Sequence, residues 1–172
     1  MPERVHRDEI AKEEILYKPF TLKRLTDYDP SVKSEGSWSL ITGKQLKEDI
    51  FENVDMLFNS RSHASFADLG GHEEVEESVL AYGISDFCGR QSSTASRDDL
   101  RLHIFKQLRL FEPRLDPASL TVEFQDTEKG DSTSVEYRIN GIIRAKGVDE
   151  EIAFISRLNL ESGNAELRLD GQ

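Results

Sequence analysis

The chain has 172 residues, of which 37% are apolar, and its 33 acidic and 22 basic residues give a formal net charge of −11. This length suits one domain with a single core and some additional tail. The excess negative charge opposes binding to nucleic acid, anionic lipid or an anionic cell-wall polymer. Composition therefore favours a protein partner or a neutral substrate.

The sequence also restricts the compartment. No apolar run approaches the roughly 20 residues that a membrane-spanning helix requires, so we expect no membrane insertion. The N-terminal segment MPERVHRDEIAKEE lacks the apolar core of an export signal. Cys88 is the single cysteine, which excludes an intrachain disulfide and suits a reducing compartment. We therefore predict a cytoplasmic protein.

Residues 1–42 are predicted to form an N-terminal arm that is partly flexible. The stretch from Arg4 to Leu16 is charge-dense and suits a marginal helix, and turn-forming residues follow it as far as Trp38. Trp38 either pins the arm to the rest of the chain or anchors a partner, because a Trp side chain buries a large area in both cases. Whether the arm becomes ordered only on binding stays open.

Residues 43–172 are predicted to form a single α+β domain that begins with a helix from Lys44 to about Asn59. Thr42 and Gln45 have the spacing of a capping box at its start. Glu48, Asp49, Glu52 and Asp55 are assigned outside its apolar stripe. The stripe recurs at a helical spacing and consists of Leu46, Ile50, Val54, Leu57 and Phe58.

Two further helices are predicted before the apolar period changes. The segment HEEVEESVLAYG reads as one short helix that ends at Gly83, and a loop follows it. A longer helix runs from Arg97 to about Leu110, with Ser96 and Asp99 as its cap. Its apolar stripe contains Leu100, Ile104, Leu108 and Phe111. Apolar residues outside the stripe, namely Leu102, Phe105 and Leu110, predict a helix that is covered on more than one side.

After Pro117 the apolar period becomes two, which predicts strands. The strand segments are SLTVEFQ, TSVEYRINGIIRAK, EIAFISRLNL and AELRL. Gly141 interrupts the second segment and predicts a bulge or a bend there. Helices in the first half followed by strands joined by short turns predict an α+β fold, with the helices packed on an antiparallel β meander.

The stretch FEPRLDP, residues 111–117, joins the last helix to the strands. Pro113 has no N–H and disfavours helical geometry at the preceding residue, so we expect an extended segment from Glu112 onward. Alternation along that segment would place Phe111, Pro113 and Leu115 towards the core. It would place Glu112, Arg114 and Asp116 on the opposite side as a carboxylate–guanidinium–carboxylate row. This row either stiffens the corner or presents a fixed Arg114 to a partner.

These residues also carry a family resemblance. Glu112-Pro113-Arg114 resembles the Glu-Pro-Arg motif of the baseplate wedge proteins of contractile injection machines, a family with a phage-tail branch and a type VI secretion branch, TssE. Three further blocks agree in order with this family. They are LKRLTDYDP at 22–30, DIFENVDMLFNSRS at 49–62 and ESVLAYGISDFCG at 77–89. The N-terminal block points to the type VI branch, whereas Ala81 stands where that family suggests Asn.

The resemblance implies a structural part of the baseplate wedge that starts sheath polymerisation. It implies contacts with the baseplate proteins TssF, TssG and TssK and with the sheath proteins TssB and TssC. Glu112, Pro113 and Arg114 are the candidate partner-binding residues. The sequence is compatible with this role, because we expect the strands from Thr133 to Leu169 to leave an open edge that a strand from a neighbouring subunit completes.

Other function classes have weaker support in the sequence. Glu112 and Asp116 would suit a lysozyme-type glycosidase only if one carboxyl stayed protonated, and an adjacent arginine opposes that. The five potential metal ligands lack the usual spacing, so we expect no metal and no cofactor; they are His6, His63, His72, His103 and Cys88. A generic protein-binding adaptor remains the alternative. We therefore predict a protein that is not an enzyme.

Overall fold

The helices of this chain precede its strands, as the change of apolar period predicts. The computed structural model describes residues 16–26, 30–31, 40–62, 72–85, 94–125, 133–145 and 148–170. Four α-helices lie within these ranges: α1 (Thr21–Leu25), α2 (Gly43–Phe58), α3 (Glu73–Glu76) and α4 (Thr94–Phe111). A four-stranded antiparallel sheet follows. The prediction of an α+β fold with helices in the first half is confirmed.

Helix α2 forms as its sequence predicts at its start and along its stripe. The Thr42 N–H donates to Gln45 Oε1 over 2.9 Å, and the Gln45 N–H donates to Thr42 Oγ1 over 3.3 Å. This is the predicted capping box. All five stripe residues are buried. Asp49 was assigned outside the stripe, but it is buried as well, because it binds groups of the preceding segment.

Helix α4 begins at Thr94, earlier than predicted. Ser96 therefore lies inside the helix, and its assignment as the cap was wrong. Leu100, Ile104 and Leu108 are buried as expected. Leu102 is 59% exposed, so the expectation that this side of the helix is covered was wrong at that residue.

The shorter helices differ from the predicted pattern. The segment that was read as one helix up to Gly83 forms α3 and then a separate 3-10 helix, Val79–Ala81. Ser78 separates them, and its Oγ accepts a hydrogen bond from the Leu80 N–H. The arm contains α1, where the sequence indicated turns. Residues 4–15 of the predicted helix Arg4–Leu16 lie outside the described residues, as do Trp38, His6, His63 and Cys88.

The sheet is a meander whose strand order equals the chain order. Its strands are β1 (Thr121–Gln125), β2 (Ser134–Ala145), β3 (Val148–Asn159) and β4 (Ala165–Leu169). Strands β2 and β3 pair in one continuous register through Gly141 and Ile152, so the bulge expected at Gly141 is absent from this ladder. A Cβ on Gly141 would lie 3.4 Å from Leu120 Cδ1, which shows how closely its neighbours pack. The short strands β1 and β4 form the two edges.

The chain divides into two compact units, Met1–Ile50 and Phe51–Gln172. In the first unit, Tyr17 and Ile41 exchange two backbone hydrogen bonds of 2.8 Å each. In the second unit, aromatic rings of α2 pack on the buried face of the sheet. The ring centroids of Phe58 and Tyr137 are 6.3 Å apart, and those of Phe51 and Phe154 are 6.4 Å apart.

Candidate functional site

The joint between α4 and the sheet is a turn that is fixed to the edge of β2. Glu112 is the last residue whose N–H makes a helical hydrogen bond, which it donates to the Leu108 carbonyl. Pro113 follows it and has no N–H to continue the helix. The Leu115 N–H then donates to the Glu112 carbonyl over 3.1 Å and closes a turn over Pro113 and Arg114. This short-range bond replaces the helical pattern that proline interrupts.

Two backbone hydrogen bonds attach this turn to β2, beyond Asn140, which pairs with the first residue of β1. The Arg144 N–H donates to the Arg114 carbonyl over 2.6 Å, and the Asp116 N–H donates to the Ile142 carbonyl over 2.9 Å. Leu115 lies between them as an antiparallel bridge partner of Ile143. The joint is therefore held by main-chain bonds that do not depend on its charged side chains.

Glu112 and Arg114 form a two-point ion pair. Arg114 Nε lies 2.6 Å from Glu112 Oε1, and Arg114 Nη2 lies 2.6 Å from Glu112 Oε2. This planar arrangement is the one in which a guanidinium binds a carboxylate most strongly. The Glu112 side chain is 3% exposed, whereas that of Arg114 is 21% exposed. The pair thus presents arginine rather than glutamate to the outside.

The predicted alternation along the joint was wrong. Pro113 is exposed and Glu112 is buried, because the segment turns at these residues instead of extending. Leu115 is buried as expected. Asp116 Oδ1 accepts a hydrogen bond of 3.4 Å from the Ala118 N–H at the following turn. The structure thus brings together the candidate residues Glu112 and Arg114, with Pro113 exposed between them.

Tyr82 lies beside this ion pair. Its ring contacts that of Phe111 edge-on, with centroids 5.1 Å apart. Burial raises the pKa of Tyr82, and the negative charge of Glu112 raises it further. The family-like block at 77–89 and the Glu-Pro-Arg turn therefore meet at these side chains.

Helix α4 holds the backbone of this block through two buried polar residues. Gln107 Nε2 donates to the Ala81 carbonyl over 2.9 Å, and Gln107 Oε1 accepts from the Gly83 N–H over 3.1 Å. One turn earlier, His103 Nε2 accepts from the Ser85 N–H over 3.0 Å. Sequence reasoning considered His103 only as a metal ligand and did not identify Gln107. His103 and Gln107 are four residues apart and lie next to the buried stripe in the sequence. This spacing was the available signal that both side chains face the same neighbouring segment.

Gly83 allows this block to approach the end of α2. Its φ is +106°, a value that L side chains rarely adopt, and a Cβ would lie 2.5 Å from the Ser60 carbonyl oxygen. The Ile84 N–H donates to that same oxygen over 2.9 Å, and the Ser62 N–H donates to the Ile84 carbonyl over 3.2 Å. Any side chain at position 83 would separate these two segments.

Asn59 and Arg61, which belong to another family-like block, bind the β3–β4 turn. Asn59 Oδ1 accepts from the Ala165 N–H over 3.1 Å, and Arg61 Nη2 donates to the Ser162 carbonyl. A Cβ on Gly163, whose φ is +72°, would lie 2.5 Å from Arg61 Nη2. These residues connect the end of α2 to the sheet, a role that the sequence did not reveal.

The described part of the chain contains neither a candidate metal-binding cluster nor a membrane-spanning helix. No group of three or more His, Cys, Asp or Glu side chains in this part is arranged to hold a metal ion. Among the helices of the same ranges, none is both long and apolar enough to cross a membrane.

The comparison with protein families bears on this arrangement directly. The family model described as baseplate wedge protein gp25 matches residues 44–148, which is more than half of the chain. This chain belongs to the baseplate wedge protein gp25 family, which includes TssE. The matched region contains three of the four blocks that carried the resemblance. No curated protein and no solved structure matches the chain.

Membership assigns a general role. Proteins of this family are structural parts of a phage-tail-like baseplate wedge, and interaction with other baseplate proteins follows from that role. In this chain, the Glu-Pro-Arg turn is the point at which the last helix, the block at 77–89 and the edge of β2 meet.

Proposed function

We propose that this chain is a structural, non-catalytic subunit of a type VI secretion baseplate wedge. In this role it binds TssF, TssG and TssK, links the wedge to the first ring of the contractile sheath and starts polymerisation of TssB and TssC. It acts in the cytoplasm, assembled on the membrane-anchored secretion machine. Family membership supports the baseplate role, and the block LKRLTDYDP supports the type VI branch.

The observation that carries this proposal is the fixed Glu112–Arg114 corner with an exposed proline at its tip. Main-chain bonds to Ile142 and Arg144 hold the corner in place, and the two-point ion pair fixes the direction of the guanidinium. A group that is already ordered loses little conformational entropy when a partner binds it. Pro113 and the exposed part of Arg114 therefore form the proposed contact with a wedge subunit.

A wedge-assembly experiment tests this contact. The chain is coexpressed with TssF, TssG and TssK, and the wild type is compared with E112Q/R114Q, which removes the charges of both partners together. We expect the wild type to co-purify in a stable complex. We expect the double variant to be folded by circular dichroism but to be lost from the complex. Recovery of the double variant at the wild-type level would contradict the docking role of the corner.

The single variant R114A is less informative, because Arg114 donates a hydrogen bond to each oxygen of the buried Glu112 carboxylate. Removal of the arginine alone would leave a buried carboxylate without its counter-charge. Loss of the complex would then report misfolding as much as lost contact. The double variant avoids this ambiguity.

The link to the sheath is proposed to use the outer edge of β4. In the meander order, β4 is the edge strand of the segment between Thr133 and Leu169. Asn164 and Asp170 bond inward to β3, so alternation directs the Leu167 N–H and carbonyl outward. An added strand from a sheath subunit would pair with these groups.

The matched variants L167P and L167A test this edge. Both lose the leucine side chain, but only proline also removes the outward N–H. We expect L167P to enter the wedge and to prevent sheath formation, whereas L167A still supports sheaths. Equal sheath formation by both variants would contradict strand addition at β4.

A further inference from the structure

Two large aliphatic side chains protrude together from the 3-10 helix. Val79 is 80% exposed and Leu80 is 65% exposed, whereas the next residue, Ala81, is 4% exposed. Single exposed apolar residues are common on protein surfaces, whereas contiguous exposed apolar side chains are candidates for a contact surface. We call Val79 and Leu80 the apolar tip.

The apolar tip is held from both sides by adjacent residues of α4. Before the tip, Lys106 Nζ lies 2.6 Å from Glu76 Oε2. After the tip, Gln107 binds the Ala81 carbonyl and the Gly83 N–H. The exposed residues therefore lie on a short segment whose two ends are fixed.

Hydrogen bonds within the segment restrict the tip itself. Ser78 Oγ donates to the Val75 carbonyl over 2.8 Å and accepts from the Leu80 N–H over 3.3 Å. The Tyr82 N–H donates to the Val79 carbonyl over 3.2 Å. The backbone of the tip is thus ordered before any partner binds, which lowers the entropic cost of binding.

The charges beside the tip indicate the chemistry of its partner. Glu73, Glu74 and Glu77 are exposed, and the sequence from His72 to Ser85 contains no lysine or arginine. Lys106 of α4 reaches this segment, where its charge is paired with that of Glu76. An apolar tip bordered by negative charge complements an apolar groove bordered by positive charge. A symmetric contact with a second copy would place these glutamates against each other, and the chain already carries a net charge of −11.

We propose that Val79 and Leu80 dock into an apolar groove bordered by lysine and arginine on another subunit of the baseplate wedge. This inference rests on the proposed wedge function but concerns side chains other than the Glu112–Arg114 pair. Burial of the two aliphatic side chains supplies affinity, and the flanking glutamates orient the encounter.

Three variants in the coexpressed wedge complex test this surface. V79S/L80S removes the apolar tip, and M56S makes the same type of change at a 47% exposed residue on α2. E73K/E74K/E77K reverses the flanking charge. We expect V79S/L80S to weaken the complex by about tenfold or more, as loss of a central apolar anchor does. We expect M56S to have little effect and the charge reversal to slow association.

The outcomes separate this inference from the function on which it rests. A complex that survives V79S/L80S overturns the docking tip and leaves the wedge function intact. A complex unchanged or strengthened by the charge reversal overturns the basic groove. Sedimentation of the isolated wild type as a dimer that V79S/L80S dissociates would replace the groove by a second copy. Failure of the wild type itself to join a wedge would contradict both proposals.

A photo-crosslink locates the groove directly. With p-benzoylphenylalanine at position 80, we expect a crosslink to one wedge subunit, at a peptide that contains apolar residues with lysine or arginine beside them. The same photoreactive residue at position 56 is the control. An equal yield from both positions, or a crosslinked peptide without basic residues, would overturn the proposal.

Discussion

Asp49 and Glu112 are both buried carboxylates, each 2% exposed, but they bind their partners in different ways. Asp49, in the first unit, accepts from the Phe20 N–H over 2.9 Å and pairs with Lys23 Nζ at 2.8 Å. Glu112, in the second unit, binds a residue only two positions later. Asp49 therefore holds a distant segment in place, whereas Glu112 forms an ion pair within its own corner.

The difference indicates what each carboxylate contributes. The corner at Glu112 is fixed independently by main-chain bonds to β2, so its ion pair is available to orient a contact. The segment with α1 has Asp49 and the Tyr17–Ile41 bridge among its connections to the rest of the first unit. Changes at the Glu112–Arg114 pair should therefore affect global stability. Changes at Asp49 should affect the local order of the segment that it holds.

The largest expected effect comes from breaking one side of the Glu112 pair. R114A leaves the carboxylate buried without its counter-charge and should lower the free energy of unfolding by about 3–5 kcal/mol. E112Q/R114Q should cost about 1–2 kcal/mol, because no buried charge is left unpaired. Urea unfolding measures both. A smaller loss of unfolding free energy from R114A than from the double variant would show that the pair does not neutralise a buried charge.

A second large effect is expected at Gly83, which fixes the block that places Tyr82 beside Glu112. G83A should lower the free energy of unfolding by about 2–4 kcal/mol, since the backbone conformation is strained for alanine and its Cβ meets backbone atoms. G163A is the matched control, because the three atoms nearest to its Cβ all belong to the side chain of Arg61. It should cost about 1 kcal/mol. Equal losses in thermal or urea unfolding would contradict the distinction between these two glycines.

The Asp49 contact should show a smaller and local effect. D49A removes the acceptor of the Phe20 N–H and the partner of Lys23, at a cost of about 1–3 kcal/mol to the order of the segment. Hydrogen exchange should show faster exchange at residues 17–25, and trypsin should cleave faster after Lys23 and Arg24. The protection of β2 and β3 should stay unchanged. Unchanged exchange at residue 20 would show that other contacts hold the arm.

Near neutral pH, the smallest effect is a dependence of stability on pH. Burial lowers the pKa of His103 from 6.5 to about 4, a backbone hydrogen bond at Gly83 opposes this shift, and Lys106 adds to it. Because the unfolded chain binds the proton more readily, His103 reduces stability as the pH falls from about 6.5 to about 4.

The variant H103Q isolates this contribution from the titration of the carboxylates. The difference in unfolding free energy between the wild type and H103Q should be constant above pH 7 and should change in favour of H103Q below pH 6.5. A difference that does not vary with pH would show that His103 is not held neutral by the fold.

Features that depend on neighbouring residues were predictable from the sequence. The stripe of α2, its Thr42–Gln45 cap and the period-two strands all follow from spacing within one element, and all are present. The Glu112–Arg114 pair was predictable for the same reason, since the two residues are close in the chain.

Features that join distant segments were not predictable. Asp49 appeared to be a solvated helix residue, because its partners precede it by 26 and 29 residues. Gln107 was not identified, because its partners at 81–83 lie 24 and 26 residues away in the sequence. The burial of Glu112 was missed because the turn at Pro113 reverses the expected alternation. In each case a tertiary contact determined an orientation that local periodicity could not specify.

Sheath assembly in cells shows whether the Glu112–Arg114 corner is a docking device of a baseplate wedge. The chromosomal copy in the source bacterium is replaced by E112Q/R114Q, and fluorescent TssB sheaths are imaged beside the wild type. Urea unfolding of the purified variant verifies that it is folded. We predict a folded variant that forms few or no sheaths. A folded variant with normal sheaths would contradict it and would leave the pair as a brace for the corner.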